Sequence, residues 1–205
     1  MYQGSVKLKR ALISTYDRSG LIEFAQSLQE IGVELVSTGG TARAMRDAGL
    51  SVTDVADVTG FPEIMDGRVK TLHPKIHGGL LGVRDNDEHM ATLTEHGIDP
   101  FELVCVNLYP FEAAISKPDC SLPEAIENID IGGPTMLRSS AKNHRSIYVV
   151  SSPSQYPETI ERLRADDGHI DPAYSMRLAI EVYGLTSRYD AAITAYLAAQ
   201  AGLPS

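Results

Sequence analysis

Two short apolar runs, each followed by a polar turn and an amphipathic stretch, open the chain and restrict what it can fold into. Residues 9–14 (Lys-Arg-Ala-Leu-Ile-Ser) read as a strand. The polar turn from Thr15 to Gly20, with Tyr16, Asp17 and Arg18 inside it, can cap the helix behind it. Leu21, Phe24, Ala25, Leu28 and Ile31 recur at helical spacing, and Gly32 stops that helix. Residues 33–36 read as a second strand, and a helix is expected over 42–48. Strands separated by single helices pair in parallel through right-handed crossovers. The opening therefore predicts an α/β fold with a mostly parallel sheet flanked by helices.

The rest of the chain extends that pattern. Residues 51–58 read as a strand or extended run, and 59–63 as a turn. Residues 101–108 carry the unbroken apolar run of a buried central strand. Ser121, with Glu124 three residues on, is a capping-box start for a helix through Ile126. Gly132-Gly133-Pro134 is expected to break the helix after Asp130 and leave that carboxylate exposed, with a helix resuming over 136–142. A strand over 146–151 and helices over 153–164 and 171–201 complete the chain.

Composition narrows the function classes. The length of 205 residues suits one large domain, or one with an appended helical piece, and 43% hydrophobic residues supports an ordinary core. A net charge of −9 argues against a nucleic-acid partner, whose phosphates demand a basic face. No apolar run is long enough to cross a bilayer, and Met1 to Arg10 lacks a signal-peptide core. Cys105 and Cys120 form no CxxC pair and suit a reducing cytoplasm.

Against that acidic background, residues 67–79 concentrate positive charge: Arg68, Lys70 and Lys75, with glycines on both flanks. Pro74 marks the stretch as a loop, because proline disrupts a helix that crosses it. Such a loop holds a small anionic substrate, or is simply a solvated basic surface. His73 and His77 stand four apart, but Pro74 between them and no nearby third ligand weigh against a metal pair. Thr38-Gly39-Gly40-Thr41 lies between a strand and a helix N-terminus, where free N–H groups and the helix dipole favour a phosphate. The same turn also serves as a tight connection with a threonine cap. Asn107 and Tyr109 close the central strand, whose carboxyl end faces the ligand crevice in open α/β sheets. They either point at a substrate or satisfy and pack their own loop.

Five segments occur together and in order: Thr38-Gly39-Gly40-Thr41, residues 67–74, Val106-Asn107-Leu108-Tyr109-Pro110-Phe111, Asp130-Ile131-Gly132-Gly133 and Ala141-Lys142-Asn143-His144. With them the chain resembles the N-terminal, IMP cyclohydrolase portion of the bifunctional purine biosynthesis family, AICAR transformylase/IMP cyclohydrolase. The resemblance runs from about residue 9 to residue 199. It implies a three-layer fold similar to methylglyoxal synthase. Residues 1–150 would be the nucleotide-binding domain, and 151–205 a C-terminal strand and helical extension of the same unit. The family's folate-dependent transformylase domain, and its reaction, are expected to be absent from this chain.

The activity implied is dehydrative ring closure of formyl-AICAR to IMP in the cytoplasm, with no metal or cofactor. The implied partners are a purine nucleotide and a second copy of the chain, with no nucleic acid and no membrane. Ring closure removes a proton from a poor nucleophile, stabilises an oxyanion and protonates a departing hydroxyl. Lys142 and Asp130 suit the proton transfer, and Lys70 and Tyr109 the formyl oxygen. The resemblance implies that Lys142 is the acid/base lysine. It also implies that Tyr16, Asp17, Arg18, Thr38, Gly39, Gly40, Thr41, Arg68, Val69 and Thr71 hold the nucleotide, mostly around its phosphate, and that Val106, Asn107, Asp130 and Ile131 surround the base. Tyr16 and Arg18 stand where many relatives carry Ser and Lys. A methylglyoxal synthase-like lyase and a non-catalytic nucleotide-sensing module are the alternatives.

Overall fold

The computed structural model describes residues 6–203, so residues 1–5 of the N-terminal segment and residues 204–205 lie outside the described residues. The sheet has five strands: β1 (Arg10–Thr15), β2 (Glu34–Ser37), β3 (Thr53–Asp54), β4 (Leu103–Asn107) and β5 (Tyr148–Val150). Their spatial order is β3-β2-β1-β4-β5, and every pairing is parallel. The helices α1 (Leu21–Glu30) and α2 (Gly39–Asp47) follow β1 and β2 as expected. The register sets Thr15 opposite Asn107, so β1 and β4 end level with each other.

Helices cover the sheet in two groups. Helix α1 packs on α2 and on α9 (Tyr156–Ala165). Helix α8 (Gly132–Lys142) packs on α4 (Pro74–Leu81) and on α10 (Pro172–Ala201). The core continues across residue 150: Leu12, Val104, Tyr148, Leu163, Tyr174 and Val182 belong to one buried cluster. No helix among the described residues is long and apolar enough to cross a membrane.

Three local expectations fail, each for a physical reason. Residues 51–58 are not one strand; β3 is two residues long and a short helix, α3 (Val55–Thr59), follows at once, capped by Asp54. Pro74 does not mark a loop through to Gly79. It occupies the first turn of α4, where its missing N–H costs nothing, and the His73 ring nitrogen caps that turn by accepting from Lys75 N–H at 3.1 Å. Gly132-Gly133-Pro134 likewise opens α8 rather than breaking a helix; α7 (Leu122–Glu127) has already ended.

The amino ends of β1 and β4, opposite the site, are joined by Glu102. Its Oε2 accepts from Lys9 N–H at 3.2 Å and Arg10 N–H at 3.0 Å, and Arg84 lies 3.9 Å from its Oε1. Burial holds this carboxyl above the ordinary range, against the pull of Arg84 and the two N–H groups. A carboxyl raised in the folded state adds stability at low pH. That stability is lost as pH rises from the unfolded value, about 4.3, through the folded one. Glu102→Ala is expected to lower unfolding free energy by about 1–3 kcal/mol in urea titrations, because the Lys9 and Arg10 N–H groups lose their acceptor. A loss below about 1 kcal/mol would show that the clamp carries no stability.

Candidate functional site

The carboxyl ends of β1, β2 and β4 open into one cavity of about 850 Å³. That volume lies within the usual range for a small-molecule site, at the place where the chain leaves β1 and β4 in opposite directions. Of the expected site residues, Tyr16, Arg18, Thr38, Gly39, Gly40, Thr41, Arg68, Val69, Lys70, Thr71, Val106, Asn107, Tyr109, Asp130 and Ile131 all line it. Asp17 and Lys142 do not.

One end of the cavity gathers positive charge at a helix start. Thr38 is the extended N-cap of the nine-residue helix α2, and its side chain makes no cap hydrogen bond. The first-turn N–H groups therefore face the cavity with the positive end of the helix dipole. Two cations stand over that turn. The Arg18 guanidinium fills the space where a side chain on Gly40 would go, and Lys70 Nζ lies 3.8 Å from the position of a Cβ on Gly39. Gly39 also has φ +58, which glycine adopts without strain. Thr41 does not offer its hydroxyl to a ligand. That hydroxyl donates to Thr15 O at 3.0 Å and accepts from Thr15 N–H at 3.1 Å, which fixes α2 to the end of β1.

The other end carries the titratable groups. Asp130 sits just before α8, and its Oδ1 accepts from Gly133 N–H at 2.9 Å. A side chain on Gly133 would strike that carboxylate, and one on Gly132 would lie 2.9 Å from Thr71 Oγ1. Asp130 is half-buried rather than exposed, because the glycines let α8 begin against it. Desolvation raises its pKa above the ordinary carboxylate range, and the Gly132 and Gly133 N–H groups and Lys70 pull it down only in part. Lys70 is held from behind by Glu63 at 3.7 Å. Tyr16 and Tyr109 meet with ring centroids 4.3 Å apart, and their hydroxyl contact raises the Tyr16 phenol.

Several expected contacts are spent on the protein itself. The Asn107 amide oxygen accepts from Tyr16 N–H at 2.7 Å and Asp17 N–H at 2.9 Å, and its amide nitrogen donates to Asp17 O at 3.0 Å. Asn107 thus fastens the loop after β1 instead of reading a base with its side chain. Asp17 turns its carboxylate to Ser19 N–H at 2.9 Å. Arg68 pairs with Glu127 across the mouth of the cavity, Nε to Oε1 at 3.2 Å. His73 Nδ1 is given to its helix cap, and His77 Nδ1 meets Ser139 Oγ at 3.1 Å while its Nε2 is buried without a partner.

Lys142 is displaced from the site. It ends the eleven-residue helix that Asp130 precedes, is exposed, and lies roughly 15 Å along the axis from Gly132 at about 1.5 Å per residue. A lysine side chain cannot span that distance, so one chain does not pair Lys142 with Asp130. Met65, Asp66 and Glu127 line the cavity without having been expected there. Met65 and Asp66 both have φ +54, closed into a turn by mutual hydrogen bonds between Ile64 and Val69. Left-handed non-glycine residues concentrate at functional loops, and Asp66-Gly67 is a turn signature that marks this one in the sequence.

Comparison with known proteins agrees with this architecture. A model of the MGS-like domain matches residues 20–135, and a model of the AICARFT/IMPCHase bienzyme matches residues 140–205. The bifunctional purine biosynthesis protein PurH of Magnetococcus marinus is 59% identical over 193 residues, which cover 94% of this chain and 36% of the relative. The chain thus spans about a third of the length of that curated relative. The crystal structure of ForH superposes with a TM-score of 0.81 at 31% identity, covering 91% of this chain and 95% of that one. A parallel five-stranded sheet and a domain model matching more than half of the sequence lead to one assignment: the chain belongs to the MGS-like domain family.

Proposed function

We propose that this chain is an IMP cyclohydrolase, closing the purine ring of formyl-AICAR to give IMP with loss of water. The observation that carries the reading is a pair of unlike ends in one cavity: an open helix N-terminus with Arg18 and Lys70 over it, and a desolvated carboxylate, Asp130, at the other end. The kinship with PurH, a protein named for purine biosynthesis, supports it. The nucleotide's phosphate is assigned to α2, Arg18 and Lys70, and its base to the wall of Val106, Asp130 and Ile131. Asp130 takes a proton from the carboxamide nitrogen as that nitrogen attacks the formyl carbon. Tyr109 donates to the oxygen of the carbinolamine, which leaves as water with two protons: the one Asp130 took, and the one the former formamide nitrogen gives up as the new C=N bond forms. A lyase acting on a triose phosphate would use the anion cradle and leave the base wall without work.

Lys142 enters this reading through a second copy of the chain. Arg138 and Lys142 share an exposed face of α8, and Arg138 lies over Tyr183 of α10, 5.5 Å from its ring centroid. Met176, Ile180 and Tyr183 form an exposed apolar strip on the adjoining helix. A two-fold partner seated on that strip would cover the apolar surface and carry its Lys142 toward the neighbouring cleft. Cys105 and Cys120 are free thiols, which fits a reducing cytoplasm.

Two measurements test the reading. Asp130→Asn is expected to lower kcat for IMP formation by about 10²–10⁴ while IMP binding is retained. In the unaltered chain, activity should rise with pH through a limb above the ordinary aspartate value of about 3.9, because the base must be deprotonated. Unchanged turnover in Asp130→Asn removes the carboxylate from the reaction. For the dimer, equal mixing of inactive Asp130→Asn and Lys142→Ala chains, with subunit exchange, should restore roughly a quarter of the activity, since half the dimers then hold one intact site. No recovery on mixing rules out a shared site.

A further inference from the structure

Helix α10 does not line the cavity, yet it holds both of its chemical walls from behind. Tyr189 is buried at 9% exposure. Its hydroxyl accepts from Asp130 backbone N–H at 2.8 Å and donates to the Asn128 carbonyl at 3.5 Å. These bonds grip the peptide that carries the Asp130 carboxylate, whose Oδ1 is fixed separately by Gly133 N–H at 2.9 Å. The Tyr189 ring meets Phe111 edge-on at 6.2 Å, and Tyr196, two turns further along α10, does the same at 5.8 Å. Phe111 is fully buried, and its N–H donates to Tyr109 O at 2.8 Å. One face of a single helix therefore reaches the backbone of Asp130 on one wall and of Tyr109 on the other.

We propose that Tyr189 is a positioning residue of this site. It acts through the Asp130 backbone, and with Tyr196 it makes α10 the brace that sets the Asp130 and Tyr109 walls relative to each other. The catalytic part of the proposal rests on the cyclohydrolase reading; the mechanical part does not. Loss of the hydroxyl orphans a buried N–H, frees the peptide before α8 and lets the carboxylate drift from its productive place.

The test is Tyr189→Phe in the full chain, which keeps the ring against Phe111. In the unmodified chain the Asp130 amide should be protected from hydrogen exchange; free exchange there overturns the brace without any variant. In Tyr189→Phe the Asp130 amide is expected to exchange roughly ten-fold faster, with β4 amides unchanged. The same variant should lose roughly ten-fold in kcat with little change in KM, and its acid limb in the kcat profile should move. Unchanged exchange overturns the brace. Faster exchange with unchanged kcat and pH profile overturns the positioning role. Faster exchange in a chain whose unmodified form does not turn over formyl-AICAR supports the brace and defeats only the cyclohydrolase reading.

Discussion

The site depends on β1 and β4 lying side by side in parallel and ending level at Thr15 and Asn107. Beyond those residues the chain runs toward β2 on one side and toward β5 on the other. A crevice must open between the departing loops, because nothing in the sheet fills it. Asn107 then spends its amide oxygen and one amide N–H on the first of those loops, and Thr41 spends its hydroxyl on the main chain of Thr15. The end of β1 thereby fixes Tyr16 and Arg18 on one side and the start of α2 on another.

Two helix N-termini face the crevice and are treated differently. Helix α8 is closed by its own Asp130, which accepts from its first turn. Helix α2 is left open, with Arg18 and Lys70 held over glycines that have no side chain to exclude them. In a chain of net charge −9 this is a local reversal of sign at one end of the crevice. At the other end, desolvation outweighs the pull of Lys70 and of the Gly132 and Gly133 N–H groups and raises the Asp130 carboxyl above the ordinary carboxylate range.

Much of this was legible in the residues. The helical spacing of Leu21, Phe24 and Leu28 and the apolar run into Asn107 specify α1 and β4, because burial enforces those periods directly. Thr38 to Thr41 and the Arg68–Thr71 segment were readable as cavity lining because glycine and cations in an acidic chain stand out. Proline was the main source of error. Pro74 and Pro134 read as breakers, yet both sit in first turns, and only tertiary structure tells a helix start from a helix stop. The destination of the Asn107 amide and the pairing of Arg68 with Glu127 are long-range, whereas the distance of Lys142 from Asp130 follows from the length of α8, which begins at Gly132 rather than at Met136. No local pattern encodes a partner some 59 or 91 residues away.

The most direct measurement is a structure of this chain with IMP bound. The phosphate is expected at the first turn of α2, within hydrogen-bond distance of Gly39 and Gly40 N–H and contacted by Arg18 and Lys70. The purine ring is expected against Val106 and Ile131, with the Asp130 carboxylate beside its six-membered ring. A nucleotide bound outside this cavity, or bound with its phosphate at Asp130 and its base at α2, would contradict this placement.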